Sequence, residues 1–223
     1  MFECRSICRI YIISEEVNYT KSDGSTVSVK VALDELRAGL STKSIGDEVT
    51  VGGEQFYVLE WDNNSDTVEL MAKYNLNTAG TAQQDAAYET TACAFSSTNY
   101  WSSSFTSSSF NLNDFIGFTS TDALGRAKSY GRSKGAVASR LLSYEEAYAL
   151  RAKASSDTKI YNMLWGKANT ANGYLNYWLG SANNTNNVWN VNGNNSNLNN
   201  NNYNNSSNNG VRPAFYKTKD YIT

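Results

Sequence analysis

Apolar positions along this chain come in short groups separated by polar turns, and the spacing within each group predicts the elements. The run RIYII at 9–13 reads as a short strand. Val31, Leu33, Leu36 and Leu40, with Gly39 near the end, predict a short amphipathic helix over 31–40. A β unit follows. Strands are predicted at 48–51, 55–61 and 67–71; the hairpin signal Gly52-Gly53 joins the first two, and the polar turn Asp62-Asn63-Asn64-Ser65-Asp66 joins the last two. That turn has the composition of a calcium loop but is too short for one of the EF-hand type.

The middle of the chain is less regular. Residues 82–94 carry a helical pattern. Residues 96–113 are rich in serine, yet Tyr100, Trp101, Phe105 and Phe110 give them more aromatic anchoring than a flexible linker carries, so they read as irregular chain pinned to a core. A helix is predicted over 121–138, with Asp122 in its first turn. A second begins at Ser143, where Ser143 and Glu146 form a capping box and Ala147, Leu150 and Ala154 continue the apolar stripe. Residues 156–165 are helical or turn-like, and YLNYWL at 174–179 is an aromatic strand. The chain closes on GVRPAF at 210–215, strand-like and carrying the only proline.

Between these last two segments the composition changes. Seventeen of the thirty residues at 181–210 are asparagine. A disordered or prion-like tract is one reading of such a bias, and chance glycosylation sequons are another. The apolar positions argue instead for folded chain. Trp189 and Val191 alternate with Asn190 and Asn192 at the period of a half-buried strand, and Leu198 and Val211 follow as further anchors. The expectation is a set of strands and turns with the asparagine side chains on the outer face.

Charge and composition remove whole classes of function. Lys and Arg number 19 against 21 Asp and Glu, a net charge of −2, which gives no basic footprint for a nucleic acid. Histidine is absent, and with it Ser-His-Asp and Cys-His catalysis and histidine-ligated zinc. Cys4, Cys8 and Cys93 are too few for a disulfide framework or a four-ligand zinc site. Glu145-Glu146 is explained by helix capping. GRSKG at 131–135 lacks phosphate-loop spacing. No catalytic residue, metal site or cofactor is expected, and neither a signal peptide nor a membrane-spanning stretch is evident.

The genetic code adds a consistency argument. If only adenines in asparagine codons change, single steps yield Tyr, Asp, His, Ser, Thr or Ile. Thr185, Ser196, Tyr203, Ser206 and Ser207 are such products, whereas Trp189 is not reachable and reads as scaffold. The segments YWLGSA (177–182), VWNVNG (188–193) and GVRPAF (210–215), with IGD (45–47) and SRLLSYEEA (139–147) upstream, resemble the variable proteins of diversity-generating retroelements over roughly residues 44–216.

The resemblance implies an α+β, C-type-lectin-like domain over 44–223, related in scaffold to formylglycine-generating enzymes, with irregular loops and short strands. Before it lies a small β-rich N-terminal part, 1–43, for attachment or oligomerisation. It implies a non-catalytic protein that binds a protein or glycan receptor on a host or target cell, carried in a phage tail or held in the cytoplasm before assembly. Membrane insertion is not implied; a homo-oligomer, such as a trimer, would suit a tail protein. A calcium-independent lectin and a structural tail protein are the alternatives. The variable contact residues would be Asn183, Asn184, Asn186, Asn187, Asn190, Asn192, Asn194, Asn195, Asn197, Asn199, Asn200, Asn201, Asn202, Tyr203, Asn204, Asn205, Asn208 and Asn209. Tyr203 is the expected exposed aromatic anchor. Trp178, Trp189 and Arg212 would support them from the scaffold.

Overall fold

The computed structural model describes residues 18–28, 42–77, 80–81, 92–136, 138–166, 176–219 and 222. The strand expected at 9–13, the helix at 31–40, most of the helix at 82–94, and Cys4 and Cys8 lie outside them. The chain divides into two compact units, 1–42 and 43–223. The described part of the first is an antiparallel hairpin of β1 (Asn18–Thr20) and β2 (Thr26–Ser28). Gly24 takes a φ of 83° in its turn, and Asp23 accepts hydrogen bonds from the Ser25 N–H and hydroxyl.

The second unit is α+β. Its strands are β3 (Glu48–Val51), β4 (Glu54–Trp61), β5 (Thr67–Ala72), β6 (Phe110–Asn111), β7 (Ser139–Arg140), β8 (Tyr177–Ala182), β9 (Asn187–Asn192), β10 (Asn197–Asn202) and β11 (Ala214–Thr218). They form a five-stranded sheet in the order β3-β4-β5-β11-β7 and a four-stranded sheet in the order β10-β9-β8-β6, with every pairing antiparallel. Among the described residues three helices complete it: α1 (Ala123–Ser133), α2 (Tyr144–Ala154) and α3 (Thr158–Trp165).

β4 and β8 are buried on both faces, which the near-continuous apolar run of β4 already demands of its own sheet. Phe56 and Val58 join one core with Leu70, Phe95, Trp101, Leu124, Trp178 and Phe215. Tyr57 and Leu59, one residue out of phase, join the other with Leu150, Met163, Tyr177, Val191 and Leu198. Phe95 is the hub of the first core, with edge-on contacts to Trp101, Phe118 and Trp178 at ring separations of 5.4 to 5.8 Å. The serine-rich segment is thus anchored through Trp101, which is fully buried.

The helix ends follow local chemistry. At α2 both halves of the capping box form: the Glu146 N–H donates to Ser143 Oγ at 3.2 Å, and the Ser143 N–H donates to Glu146 Oε2 at 2.8 Å. At α3 the Asp157 carboxylate accepts from the N–H groups of Lys159 and Ile160, and Gly166 closes the helix in the left-handed region. The helix expected over 121–138 is shorter than its pattern. It ends at Ser133, since Gly135 has a φ of 63° and the chain must turn to place β7 against β11. Asp122 is the residue before its first turn. Its carboxylate makes no cap to the helix and accepts instead from the Thr119 N–H (2.7 Å), the Thr119 hydroxyl (3.0 Å) and the Ser97 N–H (3.2 Å).

Candidate functional site

The asparagine tract is folded as a paired ribbon. β9 and β10 are in register over all six residues, from Asn197 opposite Asn192 to Asn202 opposite Asn187. Val188, Val191 and Leu198 fix it from inside. The expected in-and-out alternation is nevertheless wrong at one position. Asn190 is only 1% exposed, and Val188, on the same face, is fully buried, because the chain around Phe95 and Trp101 covers the side of the sheet expected to meet solvent. Asn209 is also fully enclosed. Neither residue stands on a contact face. The Asn190 amide nitrogen and both Asn209 side-chain atoms have no hydrogen-bond partner.

The remaining asparagines do not share one face either. Asn183, Asn184 and Asn186 sit at the β8–β9 turn, Asn194 and Asn195 at the β9–β10 turn, and Asn197, Asn199, Asn200, Asn201 and Asn202 along β10, the outer strand. The two turns lie at opposite ends of a six-residue ribbon, roughly 17–20 Å apart. Tyr203 returns the chain to the first end, its N–H donating to the Asn186 carbonyl, so that Asn204, Asn205, Ser206, Ser207 and Asn208 lie beside the β8–β9 turn.

Several of these side chains shape backbone rather than project freely. Asn184 Oδ1 accepts from the N–H groups of Asn186 and Asn187, both at 2.8 Å. Asn192, Asn202 and Asn205 accept from the N–H groups of Asn195, Asn204 and Ser207. These are Asx turns, in which the side-chain oxygen stands in for a backbone carbonyl. Asn187 Nδ2 donates to Asn200 Oδ1 across the strand pair at 2.8 Å. The amide groups read as donors and acceptors for a ligand are thus partly committed to holding their own loops.

The expected aromatic anchor is likewise displaced. Tyr203 is half-buried, with its ring edge-on to Trp101 at 5.7 Å. Trp189 is half-buried too: it stacks on Tyr144 with ring centroids 4.2 Å apart, and its Nε1 donates to the Ser108 carbonyl. Trp178 is fully buried and donates from Nε1 to the Cys93 carbonyl at 2.7 Å. Arg212 is 1% exposed. It donates from Nε to the Ala72 carbonyl and from Nη1 to the Met163 carbonyl, both at 2.9 Å, and lies 4.6 Å from the Tyr177 ring centre. Burial pushes the Tyr177 phenol up to about 12, against the pull of the nearby guanidinium.

The first end of the ribbon has a second contributor, which the sequence pattern left unassigned. Asn99 Nδ2 donates to the Thr185 carbonyl and to Asn186 Oδ1, Trp101 Nε1 donates to the Asn184 carbonyl, and the Ser96 N–H donates to the Tyr203 carbonyl. The only signal for this meeting was the aromatic content of the serine-rich run. Residues 96–111 and 181–210 together hold no Asp, Glu, Lys or Arg. Three loops therefore converge on an uncharged surface of amides, hydroxyls and backbone groups.

Several ionised groups elsewhere are engaged in structure. Arg140 bridges Glu69 and Glu146, each at 2.6 Å. Buried Glu54 accepts from the Tyr130 hydroxyl at 2.6 Å and pairs with Lys134. Cys93 is half-buried, and burial pushes its thiol up. Among the described residues no group of three or more His, Cys, Asp or Glu is placed to hold a metal ion, and no helix is long and apolar enough to cross a membrane.

Residues 116–216, from just before α1 to the middle of β11, match a family described as a domain of unknown function (DUF6273). No curated protein and no solved structure matches the chain.

Proposed function

We propose that the chain is a non-catalytic ligand-binding protein of C-type-lectin-like architecture, with the uncharged end of the β8–β10 ribbon as its contact surface. The observation that carries this reading is the division of the asparagine tract. Val188, Val191, Leu198, Asn190 and Asn209 are enclosed, while Asn186, Asn204, Ser206 and Ser207 stand exposed on loops held by Asx turns and by Asn99 and Trp101. A surface whose exposed residues can change without touching the core is what the diversification reading needs. Its target is a protein or glycan on another cell or particle.

The chemistry sets limits on the present sequence. A hydrogen bond contributes about 0.5–1.5 kcal/mol net, and interfaces draw most of their affinity from buried Tyr, Trp or Arg. Tyr203 is turned toward Trp101, so this copy binds weakly. With no formal charge on the face, binding depends little on salt.

The test is a displayed library. Positions 186, 204 and 206 are varied to Tyr, Asp and Ser, and positions 194 and 195, at the far turn, are varied as a control. Members varied at the first set should acquire or change targets, with gains of about tenfold per 1.4 kcal/mol added, while the control set stays inert. Equal behaviour of the two sets, or no target separating any members, defeats the proposal. The coding DNA gives an independent check: a nearby reverse-transcriptase gene and a near-copy of the 3′ segment differing at adenines are expected.

A further inference from the structure

The two larger sheets have four edges among the described residues, and the fold guards three of them. β6 and β7 are two residues long, too short to template another strand. β3 carries Glu48, paired with Lys73 at 2.8 Å. β10 differs. It is six residues long, has no proline or charge, and pairs with β9 without the register shift seen between β4 and β5 or between β8 and β9. Among the described residues no strand lies beyond it.

The direction of its outer backbone groups can be read from the bonding. The Tyr203 N–H donates inward, to the Asn186 carbonyl, so Asn201, Asn199 and Asn197 are the inward-bonded residues of the ladder. Leu198, Asn200 and Asn202 point their backbone groups outward. In agreement, the Asn200 N–H is taken up by the Asn199 side chain at 2.9 Å. There the Asn199 amide stands in for the strand that β10 lacks.

We infer that β10 is a pairing edge for a second copy of this chain, joined antiparallel about a two-fold axis through Asn200. In that register Asn200 faces its own copy and Leu198 faces Asn202 in hydrogen-bonded pairs, while Asn199 stands opposite Asn201. The occupant follows from the chemistry. A carboxamide both donates and accepts, so a strand of asparagines is complementary to itself, and without charge nothing repels an identical strand. The two-fold arrangement is isologous: it uses both free edges and stops at a dimer. The inference stands independently of the ligand-binding proposal, because the edge and the loop end are different surfaces.

Sedimentation equilibrium of the full chain up to millimolar concentration should show the mass doubling, and hydrogen exchange at Leu198 and Asn202 should slow in the dimer. Asn200→Pro removes an outward N–H and keeps the backbone ladder to β9, though it loses the side-chain bond from Asn187, and should weaken dimerisation at least tenfold. The double variant Asn199→Lys, Asn201→Lys guards against a folding defect. It opposes like charges across the axis, so it should be monomeric at low salt and regain the dimer in about 1 M salt, where the Debye length falls to about 3 Å. A wild-type chain that stays monomeric throughout overturns the inference. So does a dimer that both variants leave intact, and so does a monomer whose β10 takes up only an extended peptide of another protein.

Discussion

Replacing Arg212 by Met tests whether the guanidinium holds the framework together. It lies on the chain that leaves the asparagine tract for β11 and ties Ala72 at the end of β5 to Met163 in α3, over the face of Tyr177 in β8. Two bonds from a charged donor contribute about 1.5–3 kcal/mol each, and the contact with the Tyr177 ring about 1–2 kcal/mol. Against this, a buried ion costs several kcal/mol in lost hydration, so an apolar replacement of similar length recovers part of the loss. The balance is about 2–4 kcal/mol of destabilisation, or roughly 5–15 °C in Tm for a unit of this size.

Arg212→Lys should cost at least as much. It keeps a charge in the enclosed site but loses the planar fork that reaches both carbonyls. Urea unfolding followed by the fluorescence of the five tryptophans measures both variants. Hydrogen exchange should quicken in β9 and β10, because α3 and β8 support them. If both variants stay within about 0.5 kcal/mol of the wild type, the guanidinium is not a structural tie and this account of it is wrong.

Acid stability should depend on Glu146. Burial pushes its carboxyl up, but the Arg140 guanidinium and the Ser143 N–H outweigh burial and hold it below the usual range. A depressed folded value gives stability that is complete above the unfolded value of about 4.5 and is lost as pH falls through the folded one. The side chain is 39% exposed, so the contribution is about 1 kcal/mol after screening. Glu146→Gln should lose that much at neutral pH and converge on the wild type as pH falls through the depressed folded value, as measured by urea midpoints. Glu69, which burial pushes up, works in the opposite sense and shallows the wild-type acid limb. Gly125→Ala would bring a Cβ within 1.7 Å of the Thr119 carbonyl oxygen, in a loop fixed by the Asp122 carboxylate, and should cost about 3 kcal/mol or more by thermal denaturation. A variant that melts with the wild type would show that this loop yields.

The sequence disclosed what is decided locally. The capping box at Ser143 and Glu146, the Gly52-Gly53 hairpin and the strands of the first β unit depend on residues within a few positions of one another, and they fold as their spacing predicts. The side of β9 that meets solvent is decided far away. Asn190 is enclosed because Phe95, Trp101 and Trp178 pack into one core, and contacts between residues near 100 and residues near 190 leave no periodic trace in either segment. The end of α1 is likewise set by β7 pairing with β11, about 75 residues onward.

The same division explains the asparagines. An asparagine that faces solvent, one that closes an Asx turn and one that lies buried look identical in a row of seventeen. Position relative to the turns separates them: Asn184, Asn192, Asn202 and Asn205 lie where the chain reverses or leaves a strand, and each supplies the oxygen for the reversal. At those four sites Asp and Ser can reproduce the bond, while Tyr and Ile cannot. The tolerance of the tract to substitution is therefore unequal along its length, and the loop architecture, more than exposure alone, sets which replacements it can display.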